Sequence, residues 1–458
     1  MISIENDSII AQCTPTGTGV IALLRLSGAD VFAIIDRMSR LPDNQLLSTV
    51  PSHTIQYGWI IDEVGNKIDQ VLFLVMHAPK TFTGEHTIEI TCHNNPFLIE
   101  SIFNRALMCG ARMAHPGEFT RRAFTNGKID LLQAEAINEL IHATNQLSLK
   151  QSLAQLSGTF SHWIASLEKK LITCLAYSEA SFEFLDDEME FAPFINEQLT
   201  QVLESIVRIK TTFDQQQQLR QGVRIALIGS VNAGKSSLFN QLLGHARAIV
   251  APVAGTTRDS IESTISLNGS QVTLIDTAGL RNTNDIIEQE GIVRSQQEAH
   301  KADIILLVTD VSRPFSEHEM HTYNELLNSY ASKIIVVHSK TDLPQVHQQS
   351  FNHTTVVEVT EKNSVTIEQL KNAIHDKMNN LFARTDSPFL LNQRHFRVLI
   401  NVEKKLQELL PLINQKHAPY ELISAQLQHI LEIITQLTGK TISEQGMDAV
   451  FREFCVGK

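Results

Sequence analysis

Eight consecutive residues, Gly229-Ser230-Val231-Asn232-Ala233-Gly234-Lys235-Ser236, carry the strongest chemical signal in this chain. In their pattern, G-x-x-x-x-G-K-[ST], glycines free backbone N–H groups to point at phosphate, and the following helix N-terminus adds partial positive charge. Lys235 then reaches the β- and γ-phosphates, and the Ser236 hydroxyl holds Mg²⁺. The flanks fit that chemistry. Residues 224–228 form an apolar run that reads as a buried strand, and residues 237–243 read as the opening turns of a helix. A glycine-rich turn without a ligand is the competing reading, and the companion motifs decide between the two.

Downstream, Thr273-Leu274-Ile275-Asp276-Thr277-Ala278-Gly279 brings a carboxylate to the carboxyl end of an apolar strand. There Asp276 can join the Mg²⁺ shell, and Gly279 leaves its N–H for the γ-phosphate. Between the two motifs lies Gly255-Thr256-Thr257-Arg258-Asp259, with Thr257 placed to add a second hydroxyl to Mg²⁺. Order and spacing together are those of a switch GTPase. The base-selecting segment reads Ser339-Lys340-Thr341-Asp342 where Asn-Lys-x-Asp is expected, and Thr360-Glu361-Lys362 stands where Ser-Ala-Lys is usual. Asp342 can accept from the guanine N1 and N2 donors, and the Lys340 stem can lie over the base. Ser339 lacks a carboxamide, so guanine selectivity with weakened affinity is expected. Leu280 occupies the place of the water-positioning glutamine of Ras-like proteins, and leucine cannot orient water. Glu288 is the candidate for that task; its alternative is a solvated charge on a mobile loop. No arginine finger is evident, although Arg258 and Arg281 are near in sequence, and Asn232 suggests a monovalent cation beside the β/γ-phosphates.

These groups need a scaffold of alternating strands and helices, and residues 222–380 supply one. Apolar runs at 225–228, 272–275, 304–308, 334–337 and 356–359 alternate with helix-like segments, the pattern of a doubly wound sheet that binds ligands at the carboxyl ends of its strands. Residues 1–120 mix β-like runs (9–12, 20–26, 71–76, 87–91) with helix-like segments at 29–40 and 96–108, an α+β pattern. Residues 121–221 and 381–458 show apolar spacing of helical period, so the simplest arrangement is a discontinuous helical domain into which the nucleotide domain is inserted. The expected fold is thus multidomain, α/β and α.

A chain of 458 residues is too long for one core. Its net charge of −12 argues against a general nucleic-acid coat, so any RNA contact needs a local basic patch. Residues 105–128 offer one on paper, with five basic residues (Arg105, Arg112, Arg121, Arg122, Lys128) against Glu118; a solvated surface is the alternative. Arg121 and Arg122 are its candidate tRNA contacts. Five scattered cysteines (Cys13, Cys92, Cys109, Cys174, Cys455) argue for a reducing compartment. An acidic start and no apolar run of membrane-spanning length complete the expectation of a cytoplasmic protein. The pair His318 and His321 imitates a metal motif, but at the wrong spacing for H-E-x-x-H, and reads as helix surface.

Further motifs carry a resemblance. They are Asp7-Ser8-Ile9-Ile10-Ala11-Gln12 with Thr14-Pro15, Leu24-Arg25-Leu26-Ser27-Gly28, Phe82-Thr83-Gly84-Glu85, Pro116-Gly117-Glu118-Phe119-Thr120, Asn126-Gly127-Lys128-Ile129-Asp130-Leu131 and the terminal Phe454-Cys455-Val456-Gly457-Lys458. With residues 232–237 and 254–259, the chain resembles, end to end, the MnmE (TrmE) family of tRNA-uridine modification GTPases. The resemblance implies an N-terminal α+β domain that binds folate and dimerises the protein, a discontinuous helical domain, and an inserted Ras-like P-loop GTPase domain, with boundaries near 1–120, 121–221, 222–380 and 381–458. It implies folate contacts from Arg25, Glu85, Lys128 and a partner-facing Lys458, the ligand being 5,10-methylenetetrahydrofolate with 5-formyltetrahydrofolate as analogue. A pterin offers donors that suit a carboxylate, and a glutamate tail suits Lys or Arg.

For the nucleotide it implies binding by Asn232, Ala233, Gly234, Lys235, Ser236, Ser237, Ala251, Val253, Ala254, Gly255, Thr256, Thr257, Asp276, Thr277, Ala278, Gly279, Ser339, Lys340, Thr341 and Asp342. Mg²⁺ goes to Ser236 and Thr257, K⁺ to Asn232, Ala251, Val253 and Thr256, and the attacking water to Glu288. Lys235 and Cys455 join Glu288 as catalytic candidates; an inert cysteine near a helix end is the alternative for Cys455. The implied activity is potassium-stimulated GTP hydrolysis within a homodimer. That homodimer would join a flavoprotein, MnmG (GidA), which alone carries FAD, in a heterotetramer-type complex that modifies C5 of the wobble uridine of tRNA. Two departures stand out: Cys92-His93-Asn94-Asn95 replaces Gly-His-Gly-Gly, which puts folate affinity in question, and Phe184-Leu185-Asp186-Asp187-Glu188 replaces a Phe-Pro-acidic run. Two other readings compete. A GTP-switched ribosome or RNA assembly factor would have no use for Arg25, Glu85 and Lys128. A drifted scaffold would hydrolyse GTP negligibly and without regard to K⁺.

Overall fold

Strands β1 (Ile9–Gln12), β2 (Ile21–Ser27), β3 (Ser39–Arg40), β4 (Thr54–Ile61), β5 (Lys67–Met76), β6 (Thr87–His93) and β7 (Arg112–Met113) form a seven-stranded sheet in the order β3-β4-β5-β6-β2-β1-β7. Every pairing is antiparallel except β1 with β7. In this computed structural model the described residues are 7–17, 19–183, 191–213, 222–245, 261–276, 296–344, 346, 354–360, 363–382, 387–415 and 418–457. They divide into two compact units, one of residues 1–141, 154–203 and 397–458, the other of residues 142–153 and 204–396.

In the first unit, alternation puts Leu24, Leu26, Phe73, Val75, Ile88 and Ile90 on one sheet face. They bury against Val31, Ile34, Ile35 and Met38 of the helix Val31–Met38 and against Ile99, Ile102 and Ala106 of the helix Pro96–Met108. Each such side chain, fully buried, contributes about 1.5–3 kcal/mol. The departure at residues 94 and 95 is absorbed locally. Asn95 caps the helix, its side chain accepting from the N–H groups of Phe97 and Leu98, and its φ of −119° needs no glycine. Asn94 Nδ2 donates to the carbonyls of Gly17 and Gly19, each at 2.9 Å. The run 184–188 lies outside the described residues.

Helix Thr159–Glu183 is held to helix Tyr420–Thr438 by hydroxyl bonds as well as apolar contact: Ser178 Oγ donates to the Tyr420 carbonyl (3.2 Å) and lies 2.8 Å from Ser424 Oγ. The end of the chain is docked on its own N-terminal sheet. Phe451 and Phe454 pack with Leu131 and Ala134, the Gly117 N–H donates to the Cys455 carbonyl at 3.2 Å, and Cys13 Sγ donates to the Gly457 carbonyl at 3.1 Å. Gly457 has φ +94°, and a Cβ there would stand 2.4 Å from the Gln12 carbonyl oxygen, so a side chain is excluded twice over. Residues 454–457 are thus held against their own chain, and Lys458, which the resemblance places toward a partner, lies outside the described residues.

The expected basic patch is not one continuous surface: Arg121 and Arg122 are buried, Arg105 and Arg112 are half-buried, and Lys128 is exposed. Arg122, 7% exposed, reaches Asp7 at 2.7 Å, Glu118 at 3.0 Å and Glu85 at 3.2 Å. Arg112 holds Glu118 from the other side (2.8 Å), and Arg121 pairs with Asp448 at 2.7 Å. These arginines are committed to carboxylates inside the unit and leave Arg121 and Arg122 no face for tRNA. Burial alone would raise the Glu118 pKa, but hydrogen bonds from Arg112, the His115 N–H and Arg122 outweigh it and bring it down to about 2. Its ordinary value is 4.5, so this group stabilises the fold fully above pH 4.5 and loses that contribution as pH falls toward 2. The difference corresponds to about 3 kcal/mol. Unfolding midpoints should therefore drop steeply below pH 4.5 in the wild type and less steeply in Glu118→Gln; parallel curves would remove Glu118 as the cause.

In the second unit, β8 (Val223–Ile228), β9 (Ile261–Leu267), β10 (Ser270–Asp276), β11 (Ile304–Asp310), β12 (Ile334–Ser339) and β13 (Thr355–Glu358) form a six-stranded sheet in the order β13-β12-β11-β8-β10-β9. All pairs are parallel except β9 with β10. Both faces are covered, which is why β11 is buried along its whole length and its sequence shows no alternation. The carboxyl ends of β8, β10, β11 and β12 converge on one edge.

Candidate functional site

Strand β8 ends at Ile228 and the helix Lys235–His245 begins seven residues later, so the phosphate loop sits between strand and helix as its motif requires. Gly229 is fixed by close approach: a Cβ there would lie 2.2 Å from the Val308 carbonyl oxygen of β11. Asn232 (φ 62°) and Gly234 (φ 93°) turn the loop inward, making a concave array of N–H groups suited to phosphate. Lys235, 7% exposed, donates through Nζ to the carbonyls of Gly229 (2.8 Å) and Ser230 (2.7 Å). Ser236 Oγ donates to Asp276 Oδ2 at 3.0 Å, across from the end of β10. A hydroxyl and a buried carboxylate in register on adjacent elements are the donor set a hard divalent cation takes.

The segment expected to select the base, residues 339–342, lies at the end of β12. Lys340 adopts φ 59°, a left-handed conformation uncommon for a side-chain-bearing residue, and its Nζ is 2.6 Å from Asp310 Oδ2 at the end of β11. Burial pushes the Asp310 carboxyl up, but hydrogen bonds from Lys340 and Ser312 outweigh it and hold it below the usual aspartate range. Ser339 is turned toward the phosphate loop. Its buried hydroxyl donates to the Ala233 carbonyl of the phosphate loop at 2.6 Å, with the Thr309 carbonyl at 3.1 Å. Serine thus braces the loop. Ser339→Ala should weaken GTP binding about fivefold to tenfold through loss of one buried hydrogen bond, with guanine preference retained. Titration with fluorescent GTP, competed by ATP, reads both; unchanged affinity would mean that the brace is idle.

Sequence reasoning missed the back of the loop. Arg313 Nη2 donates to Ser230 Oγ (3.2 Å) and pairs with Glu319, while the Ser230 N–H donates to the Tyr323 hydroxyl at 3.2 Å. The Arg313 hydrogen bond holds the Glu319 carboxyl down to about 2. Asp310 had a signal: it is an acid at the carboxyl end of a parallel strand beside the phosphate-loop strand. Arg313 and Tyr323 had none.

A second cluster lies in the first unit around residues 77–86, which link β5 to β6. Glu85 Oε2 accepts from Ser27 Oγ at 2.9 Å and Arg122 lies behind it. Arg25 is 2.6 Å from Glu89 and stands over the rings of Phe82 (5.8 Å) and Phe119 (5.6 Å). Lys128 Nζ donates to the Pro79 carbonyl at 2.9 Å, and Asn126 Nδ2 to the Thr83 carbonyl at 2.7 Å. Arg25, Glu85 and Lys128 are thereby gathered about one segment. The arrangement offers a carboxylate to ring N–H donors, aromatic surface in Phe82, and cations for a carboxylate.

A family model for the MnmE helical domain matches residues 131–455, and one for the GTP-binding protein TrmE N-terminus matches residues 8–128. The chain is 37% identical to the tRNA modification GTPase MnmE of Geobacillus thermodenitrificans and 35% identical to that of Bacillus subtilis, in each case over 99% of this chain and 100% of the relative. The chain belongs to the MnmE family of tRNA modification GTPases. Among solved structures it is similar to the G domain of the T. maritima FeoB iron transporter, at 27% identity and a TM-score of 0.27, over 34% of this chain and 98% of that one.

Of the MnmE-family site residues expected here, the structure brings together Asn232, Ala233, Gly234, Lys235, Ser236, Asp276, Ser339 and Lys340, with Ser237 and residues 341–342 adjoining them in sequence. Ala251, Val253, Ala254, Gly255, Thr256, Thr257, Thr277, Ala278, Gly279 and Glu288 lie outside the described residues. Cys455 is exposed on the docked tail, whereas burial pushes the Cys92 thiol up to about 11 and the Cys174 thiol to about 12. His321 faces Glu325 across one helical turn (3.6 Å), and no cluster of three potential metal ligands occurs among the described residues. No described helix is long and apolar enough to cross a membrane.

Proposed function

We propose that this chain is the GTP-hydrolysing, folate-binding subunit of a cytoplasmic complex that builds a carboxymethylaminomethyl- or aminomethyl-type substituent on C5 of the wobble uridine of certain tRNAs. The one-carbon unit would come from 5,10-methylenetetrahydrofolate, and a flavoprotein partner, MnmG (GidA), would carry FAD. The observation that carries the reading is the coexistence, in one MnmE-family chain, of a phosphate loop with Ser236 and Asp276 in register and a separate cluster of Arg25, Glu85 and Lys128. A pure assembly switch needs the first and has no use for the second.

In this reading Glu85 binds the pterin donors, and Arg25, Lys128 and Lys458 meet the carboxylates of the tail. Ser236, Thr257 and Asp276 hold Mg²⁺, whose charge stabilises the phosphate oxygens, while Asn232 and residues 251–256 hold K⁺. Glu288 orients the attacking water. Hydrolysis then drives a conformational cycle of a homodimer and leaves the chemistry on uridine to the folate, the flavin and the Cys455 thiol. Mass spectrometry of tRNA nucleosides from cells lacking the gene, complemented with wild type or with Lys235→Ala, tests it. C5-aminomethyl-type uridines should vanish in the deletion and return with the wild type alone; nucleosides unchanged throughout would sink the proposal.

A further inference from the structure

Residues 77–86 form a strap that carries Phe82 and Glu85 to the second cluster, and one side chain ties its two ends. His86 Nδ1 accepts from the Ala78 N–H at 3.1 Å, and the His86 carbonyl accepts from the Gly28 N–H at 3.1 Å. Inside the strap, Thr81 Oγ1 donates to the Glu85 carbonyl at 2.7 Å. An imidazole that accepts at Nδ1 carries its proton on Nε2 and is neutral; protonation turns that acceptor into a second donor facing an N–H. The surroundings oppose that proton. His77 stands across the strap with its ring centroid 5.8 Å from that of His86 and nearly perpendicular (89°), its own Nε2 donating to the Val50 carbonyl at 2.9 Å. Phe32 stacks on His77 at 4.5 Å and meets His86 at 5.0 Å. Burial, and then the charge of His77, lower the His86 pKa below the ordinary histidine value. His77 is the titratable group that faces His86; helix Val31–Met38 presents the Phe32 ring and the turn after β2 presents the Gly28 amide.

We propose that His86 is a positioning residue for ligand binding by this strap: its neutral Nδ1 latches residues 77–86 closed and so places Glu85, and its protonation releases the latch. The proposal rests on the folate reading above and adds to it a residue and a pH dependence. His86 touches no reacting atom. It acts through Ala78 and the backbone that leads to Glu85.

The test uses the full-length protein with 5-formyltetrahydrofolate as probe at pH 5.5, 6.5 and 7.5, together with amide hydrogen exchange of residues 77–86 under the same conditions. Wild-type affinity should fall from pH 7.5 to 5.5 by less than about tenfold, because one partly buried hydrogen bond is lost and the lowered His86 pKa leaves part of the population neutral at pH 5.5. His86→Asn places an amide oxygen where Nδ1 accepts and does not titrate, so it should bind like the wild type at pH 7.5 and keep that affinity at 5.5. His86→Phe keeps a ring beside Phe32 without an acceptor and should bind weakly at every pH. Strap exchange in the wild type, divided by that of the asparagine variant at the same pH, should rise with acid. A wild type that binds with the same pH slope as His86→Asn, with no difference in exchange, overturns the latch and leaves the folate reading standing. A wild type that binds at no pH, while exchange still follows His86, overturns the folate reading and upholds the latch.

Discussion

Alanine at Lys235 is expected to lower single-turnover GTP hydrolysis by about 10²–10³-fold, the loss typical for removing one preorganised donor from a developing anion. In the structure its ammonium rests on the carbonyls of Gly229 and Ser230, at 2.8 and 2.7 Å, and is nearly buried. Those bonds hold the lysine head inside the loop, where its cation is positioned for phosphate. Lys235→Arg keeps the charge, but its longer planar head does not fit between two loop carbonyls, and most of the loss should persist. Circular dichroism would confirm that both variants are folded. Turnover within fivefold of the wild type in either would remove Lys235 from the catalytic set.

Arg122→Ala should destabilise the first unit by about 3–5 kcal/mol, the range for breaking a buried ion pair by removing one partner. Three carboxylates, from Asp7, Glu118 and Glu85, lean on this guanidinium, and Arg112 can compensate the first two only. Glu85 would be left with its serine donor. The variant should therefore show a lower urea midpoint and weaker folate binding together, with GTP affinity unchanged. Arg122→Lys, which keeps the charge but cannot serve three acceptors in one plane, should fall between. A stability loss under 1 kcal/mol would show that the network is dispensable.

Much of this was legible in the chain. The apolar runs that end at Ile228, Ile275 and Val337 marked central parallel strands, because strands buried on both faces have no choice but to be apolar throughout. β4 escaped notice because its apolar alternation points the wrong way. Ile55 and Tyr57 are exposed, while Gly58 and Ile60 face the core, and a glycine inside a strand reads as a turn. β9 escaped because Ile261–Leu267 is half polar and, among the described residues, an edge strand paired only with β10. The phosphate loop was readable because its chemistry is local. The role of Ser339 was not: a sequence shows that serine cannot copy a carboxamide, but only tertiary contact shows that its hydroxyl serves the loop. The basic run 105–128 misled for the same reason, since the acids that neutralise it, Asp7, Glu85 and Asp448, come from distant sequence.

The docking of residues 454–457 on β1, and of helix Tyr420–Thr438 on helix Thr159–Glu183, has a consequence for synthesis. Strand β1 and residues 454–457, which dock beside it, are separated in sequence by the whole sheet of the second unit, so the first unit cannot be completed until residues 454–457 have been synthesised. Until then the part of helix Thr159–Glu183 that meets helix Tyr420–Thr438 is uncovered, while the sheet of the second unit, built from strands between residues 223 and 358, can already close. Nascent chains should thus pass through a state in which the nucleotide fold is mature and the helical layer is not, an interval in which chaperones have something to hold.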